Sequence, residues 1–562
     1  MKRSFLTWGV LVALSASPLF ADDVKKSPSP AKPSLPTGYL RTEDWLTYST
    51  DRLAPGEIDR MVSAELKKAG ITQAPLVNDE GYLRRVYLDL VGRVPTPKEI
   101  AEFKSDTQPD KRARLVDRLL ETDEYAKHWA AYWRESISRR TTDNRAQLFA
   151  RGFENWLADQ FKENRSWGAI VRDILTASGQ LRFAEPTKNG PAYFLASRSG
   201  ADAPTELASE ASRLFMGIQI QCAQCHDHPS DVWKRNQFHE FAAFFARVRQ
   251  APIREEMKIV GFQLISAPFG EHQMPNASDA KKQGKRIDPQ FLDGKGPGSG
   301  QTDAKRREYL AAKLTSTQDP WFGGAFVNRI WGELMGQAFY QPVDDMGPEK
   351  EATMPTVLAR IAGSFRGSEY DVKQVCRDLM ATETYQRQIR PGASIDEHLM
   401  FAASHPKRMQ ADALWASLTQ LLGPISSGRG FFGKGPAAGA FGGRFGGGGL
   451  EQIFKREFGF DPSAKPEDIE GSISQALLMM NNPQIAQKIT AKGDNMLAKV
   501  LQANTKDEDA IRTVYLRTMA REPSEREMAR CKQHIANVSS RPEAYEDILW
   551  AILNSAEFQT KK

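Results

Sequence analysis

The residues best equipped for chemistry lie in one octet, Cys222-Ala223-Gln224-Cys225-His226-Asp227-His228-Pro229. Two thiols three positions apart, followed at once by an imidazole, make the C-x-x-C-H pattern of c-type haem attachment. In that pattern the thiols reach the two vinyl groups of one porphyrin and the imidazole ligates the iron as proximal ligand. Cys222 and Cys225 are then thioether anchors and His226 the axial ligand. The sixth position falls to His228, His239, Met257 or Met274. The same residues support two other readings. Cys222, Cys225, His226 and His228 offer the two thiolates and two imidazoles of a tetrahedral zinc site, with Asp227 or His239 replacing one of them in so tight a spacing. Cys222 and Cys225 can also close a local disulfide and leave the chain without a cofactor. Cys376 and Cys531 stand alone and read as buried thiols, or as a second pair in an oxidising compartment.

Other candidates carry less. Asp344-Asp345 offers adjacent carboxylates for acid/base or metal work, although such pairs on turns are more often solvated or capping. Asn328 and Arg329 sit on an otherwise apolar helix between Phe326 and Trp331, where a buried pair of Arg329 with Asp344 or Asp345 competes with substrate binding. His405-Pro406 and Arg408 begin a helix and read as packing or capping. No Gly-x-Ser-x-Gly elbow and no His-Glu-x-x-His is present, so no catalytic constellation stands out and enzyme status stays open.

The elements that must position these groups are helical. Apolar stripes at helical period run through Ile58, Met61, Val62 and Leu66, then Leu115, Val116, Leu119 and Leu120. Trp129, Tyr132, Trp133 and Ile137 form an aromatic stripe that reads as core, with cofactor lining as the alternative. Leu207, Ala211, Leu214, Phe215 and Ile218 predict a helix running into Cys222. Asn236 is the predicted cap of the next helix, with Phe238, Phe241, Ala242, Phe245 and Val248 on one face. Met257 to Ile265 reads as a strand, and Gly and Pro crowd Gly294 to Gly300, which places a domain boundary near 300. Helical stripes resume at Tyr309, Leu310 and Leu314, at Phe326, Ile330 and Leu334, at Leu414, Leu418, Leu421 and Leu422, and in a last helix at Ile548, Leu549, Ile552 and Leu553. The expected fold is mainly α, two helical domains joined by an irregular segment with a few short strands.

The predicted organisation is a signal peptide over 1–21, a Pro-rich linker over 22–45, a helical domain over 46–250 that carries the motif, an irregular linker over 251–303 and a second helical domain over 304–562. A Gly-rich insertion interrupts the last at 428–449. Its Gly428-Arg429-Gly430-Phe431-Phe432-Gly433-Lys434-Gly435 run looks like a phosphate loop, but Gly435 stands where magnesium needs Ser or Thr. Lys2 and Arg3 precede an apolar run to Phe20, and Ala21 precedes Asp22, which fits cleavage after Ala21. A periplasmic, secreted or cell-surface location follows, and no later stretch is apolar enough to span a bilayer.

Composition narrows the classes. The 562 residues are 40% hydrophobic and 26% charged, enough for a sizeable core and against overall disorder. The formal charge is +6, and loss of Lys2 and Arg3 with the leader lowers it to +4. So weak a bias argues against a nucleic-acid partner.

Taken together, the motifs resemble a known pair of domains. Arg84-Arg85-Val86-Tyr87-Leu88-Asp89-Leu90-Val91-Gly92 with Pro95-Thr96-Pro97, Leu115-Val116-Asp117-Arg118-Leu119-Leu120, and the run from Leu214 to Pro229 resemble the planctomycete cytochrome-like domain PSCyt-two. The later half is similar to its usual companion, the planctomycete PSD-one domain. That likeness rests on Trp321-Phe322, Phe326-Val327-Asn328-Arg329-Ile330-Trp331, Pro342-Val343-Asp344-Asp345 and Thr384-Tyr385-Gln386-Arg387. Asn481-Asn482-Pro483, Tyr515-Leu516-Arg517 and Leu553-Asn554-Ser555-Ala556-Glu557-Phe558 extend it. Both domains are of unknown function. The resemblance implies export and a gene neighbourhood that often encodes a sulfatase-like protein. The chain departs from the pattern at Ser230, where Phe is usual, and over Gly347 to Thr353, which replaces the usual Asn-Pro-Pro-Ser-His stretch.

The leading expectation is an exported c-type cytochrome-like protein that binds haem c covalently and transfers electrons to a redox partner, with the C-terminal domain as scaffold or docking partner. The alternative is a non-redox extracytoplasmic structural or interaction protein with a zinc or disulfide cluster. The third is an extracytoplasmic hydrolase using Asp344 and Asp345. No oligomeric state is implied.

Overall fold

Side chains that satisfy helix N-termini set the outline of the chain. Asn78 accepts from Gly81 N to start the Asp79–Leu90 helix, and Thr96 and Glu99 close a capping box on Pro97–Ser105. Thr122 starts Asp123–Ser138 and Asp319 starts Pro320–Met335, accepting from both Trp321 N and Phe322 N. The computed structural model describes residues 37–143, 145–276, 284–390, 400–425, 449–469 and 471–561. The fold is mainly α, with a few short strands. The signal peptide expected over 1–21, residues 22–36 of the Pro-rich segment and the Gly428–Gly435 run with the rest of the insertion up to 448 lie outside the described residues.

The expected linker ends earlier than residue 45. Thr37–Tyr39 pairs antiparallel with Glu351–Thr353, and Trp45 is buried against Trp321 with ring centroids 5.7 Å apart.

The strand expected at Met257 to Ile265 is Lys258–Ser266, the centre of a three-stranded antiparallel sheet between Gly179–Arg182 and Val248–Glu255. Met257 sits instead in the hairpin turn with φ +67. A second antiparallel pair joins His272–Met274 to Lys285–Ile287.

The core does not part at residue 300. One hydrophobic cluster runs from Leu40 through Met380 to Ala520, and a second gathers Leu88 and Val94 with Met409 to Phe558. The aromatic stripe is the hinge of the first. Trp133 lies 4.2 Å from Trp167 and 5.8 Å from Phe326 by ring centroid, and Phe326 stacks 4.8 Å from Phe365. Trp129, Tyr132, Trp133 and Ile137 are all buried in that cluster. Even the Gly- and Pro-dense stretch is anchored, since Phe291 is buried against Phe241. Among the described residues no helix is long and apolar enough to cross a membrane.

Candidate functional site

The helix that leads to the motif stops short of it. Ala203–Ala211 continues into a wide π-type turn, Ser212–Met216, and Gly217 ends it in the left-handed region at φ +69. The left-handed backbone there favours glycine, and a Cβ would also lie 2.6 Å from Met346 Sδ. Its carbonyl accepts from Met346 N at 2.7 Å. The helix expected to run into Cys222 thus ends five residues early at a left-handed glycine, on which Met346 of the other half of the chain packs.

The motif itself starts on a 3-10 turn, Ile220–Gln224. Residues three apart share a side in a 3-10 helix. Ile220 and Ala223 are buried, and the same repeat sets Cys222 and the capping Cys225 together on another side, where both are exposed. Both thiols are free, so the disulfide is not formed. His226 is exposed, and its Nδ1 lies 2.6 Å from the Asp227 carbonyl oxygen. A carbonyl only accepts, so Nδ1 carries the proton and Nε2 presents its lone pair. An imidazole oriented by a backbone carbonyl is the usual arrangement of a metal-ligating histidine. Asp227 is held by Arg235 N at 3.0 Å and Lys234 Nζ at 3.1 Å, which keep its carboxyl below the usual range.

These residues fit covalent haem: two free thiols on one exposed side of a turn and one adjacent imidazole with a free nitrogen. They do not assemble the zinc set of Cys222, Cys225, His226 and His228. His228 turns its Nδ1 to Ser230 N at 3.2 Å, and among the described residues no three His, Cys, Asp or Glu side chains converge on one point. The sixth-ligand candidates scatter. His239 has both ring nitrogens engaged, Nε2 with the Gln224 carbonyl at 3.0 Å and Nδ1 with His272 Nε2 at 2.8 Å. Met257 is 89% exposed at its hairpin tip, and Met274 lies in a two-stranded sheet. His228 is half-buried, which lowers its pKa, as does Lys350, against the opposing pull of Asp231 and Asp345.

The loop from Pro342 to Lys350 packs on the motif. Asp231 Oδ1 accepts from Glu349 N at 3.4 Å, and a Cβ on Gly347 would lie 1.8 Å from Asp231 Oδ2. Lys350 Nζ donates to Ser230 Oγ at 3.2 Å and to Asp345 Oδ2 at 3.3 Å. Burial raises the Asp231 carboxyl above its ordinary value. Asp231 and His272 carried no signal in the sequence, because each gains its meaning from a partner many positions away.

Asp344 and Asp345 do not act as a pair. Asp344 is buried and bonded to Arg213 Nη1 at 2.7 Å and Gln219 Nε2 at 3.1 Å, while Asp345 faces Lys350. The buried Arg–Asp pair exists, but its arginine is Arg213. Arg329 instead donates to Ser463 Oγ at 2.8 Å, and its guanidinium lies over Trp133. Asn328 shapes the approach to Asp344, donating to the Tyr340 and Val343 carbonyls and accepting from Tyr340 N. His405 and Arg408 precede their helix, which is Ala411–Leu422. Asn236 lies inside its helix, Arg235–Ala242, where Lys234 occupies the cap. Cys376 and Cys531 are both buried and free in different hydrophobic clusters, so they do not pair.

Two family models match the chain: a protein of unknown function, DUF1549 or PSCyt2, over residues 57–250, and a protein of unknown function, DUF1553 or PSD1, over residues 306–435. No curated protein and no solved structure matches it.

Proposed function

We propose that this chain, which carries the PSCyt2 and PSD1 domains in that order, is an exported c-type cytochrome-like protein. Cys222 and Cys225 hold haem c through thioether bonds and His226 ligates its iron. The observation that carries this reading is the His226 Nδ1 contact to the Asp227 carbonyl beside two free thiols on one exposed side of a turn. Haem, when bound, supplies one-electron transfer. The chain's own part is to present both sulfurs on one side of the turn, fix the imidazole tautomer and keep Asp227 ionised near the edge of the site. The partner is a redox protein outside the cytoplasm, where c-type haem is attached.

The test is to express the full chain in a host competent for haem-c maturation and record a visible spectrum. A Soret band that survives acid acetone, and is lost in Cys222→Ala with Cys225→Ala, is the expected result. With His226→Ala, attached haem should show a changed spectrum. Colourless wild-type protein from a host that matures a control cytochrome overturns the reading.

A further inference from the structure

Two buried imidazoles lie directly beneath the cysteine turn. His239, on the Arg235–Ala242 helix, is 1% exposed, and His272, on the His272–Met274 strand, is 9% exposed. Their rings stack at 5.1 Å with an angle of 25° between planes. The hydrogen bonds fix the tautomers of the neutral pair. The Gln224 carbonyl can only accept, so His239 Nε2 carries the proton and donates to it at 3.0 Å. His239 Nδ1 is then an acceptor, so His272 Nε2 carries the proton and donates at 2.8 Å. Gln224 lies between the two cysteines. Its carbonyl also receives Arg235 Nε at the longer distance of 3.3 Å. Burial lowers both histidine pKa values, to about 4 for His272, which keeps the pair neutral and the bonding pattern intact near pH 7.

We infer that His239, backed by His272, is a positioning residue that holds the turn between Cys222 and Cys225 through donation from Nε2 to the Gln224 carbonyl. The chain Gln224 carbonyl, His239, His272 ties the turn to a helix and to a strand at once, so the spacing of the thiols is set from below. The inference rests on the haem-anchoring reading only where haem yield is measured. The hold on the turn itself is a property of the chain before any haem is attached.

The two ring positions can be separated by substitution. Glutamine places an amide nitrogen near the position of Nε2, and asparagine near that of Nδ1. Hydrogen exchange on the full haem-free chain is read by mass spectrometry over residues 219–229. His239→Gln is expected to stay within about twofold of wild type, and His239→Asn and His239→Phe to exchange on the order of tenfold faster. Peptides from the Asp123–Ser138 helix are expected to be unchanged in all three. A wild-type rate in His239→Phe assigns His239 to packing alone and overturns the inference, as does equal loss in His239→Gln and His239→Asn. Should His239→Phe unfold, the second pair decides: His272→Gln is expected to keep protection and His272→Asn to lose it, and the reverse order overturns the inference. In a maturation-competent host, covalent haem yield should follow the same ranking. A colourless wild type removes the haem reading and leaves the exchange measurement to decide the role of His239.

Discussion

Replacement of Lys561 by methionine tests whether the C-terminal end of the chain is a structural pin. Lys561 is 2% exposed, with Nζ 3.1 Å from Asp89 Oδ1 and 2.6 Å from Glu333 Oε1. Lys407 binds the other oxygen of Glu333, and Tyr385 OH donates to Asp89 Oδ2 at 2.8 Å. The cluster therefore holds two ammonium groups and two carboxylates, balanced and buried. Burial raises the pKa of Asp89. It would raise Glu333 too, but Lys407 and Lys561 override it and hold that carboxyl well below its ordinary value. Lys561→Met leaves two carboxylates facing one cation. Stranding a buried charge in this way costs about 3–5 kcal/mol, which should appear as a lower urea midpoint followed by tryptophan fluorescence. Adding Asp89→Asn restores the balance and should return about 1–3 kcal/mol of the loss. The sign with pH follows from Asp89. Its folded pKa, already raised, rises further without Lys561, so the folded state binds a proton that the unfolded state does not. The deficit of Lys561→Met should therefore shrink as pH falls towards the ordinary carboxylate range. A loss under about 1 kcal/mol, or a double variant no better than the single one, refutes the charge-balance reasoning.

Native haem-free protein should react with iodoacetamide at Cys222 and Cys225, which are exposed, and not at Cys376 or Cys531 until denatured. Burial pushes Cys376 up to about 12 and also raises Cys531, so native alkylation of either would contradict their burial. Gly217→Ala and Gly70→Ala share nearly the same backbone, at φ +69 and +68, but only the first meets Met346; a Cβ at Gly70 has nothing within 4 Å. Both should lose about 1–2 kcal/mol to the left-handed conformation, and Gly217→Ala about 1–3 kcal/mol more from overpacking. Equal urea midpoints would show that the Met346 contact does not constrain the turn.

Local signals were legible in the sequence wherever local physics decides the outcome. The Leu115, Val116, Leu119 and Leu120 stripe is buried as its period predicts, and the Lys258–Ser266 strand differs from the expected one only at its ends. C-x-x-C-H itself is a short-range pattern, and a 3-10 turn is enough to set both thiols on one side. What escaped depends on long-range contact. Gly217 is itself a local stop signal for its helix, and only the Met346 contact that packs on it is long-range. Arg213 and Asp344 are 131 residues apart, and His239 and His272 are 33 apart. The dense glycines near 300 mark an irregular path, not a gap in the core, because a glycine-rich stretch can be carried on buried anchors such as Phe291 and Leu292.

The motifs that carry the family likeness in the two halves touch one another, which bears on what the pairing of domains does. Arg84 donates to the carbonyls of Thr518, Glu557, Phe558 and Thr560, and Arg85 to those of Tyr385 and Arg387. Asp89 takes Tyr385 OH and Lys561. A buried guanidinium needs acceptors at several of its five N–H positions, and these backbone carbonyls supply them. The first half is thus completed by acceptors that only the second half provides. At the motif loop the direction reverses: Pro342 to Lys350 of the second half supplies Met346 to Gly217, Glu349 to Asp231 and Lys350 to Ser230. Ser230 and the Gly347–Thr353 stretch are the two places where the chain departs from the resembled pattern, and they meet in the Lys350–Ser230 contact. The second half therefore packs against the turn before the cysteines and the loop after them, rather than standing as a separate module.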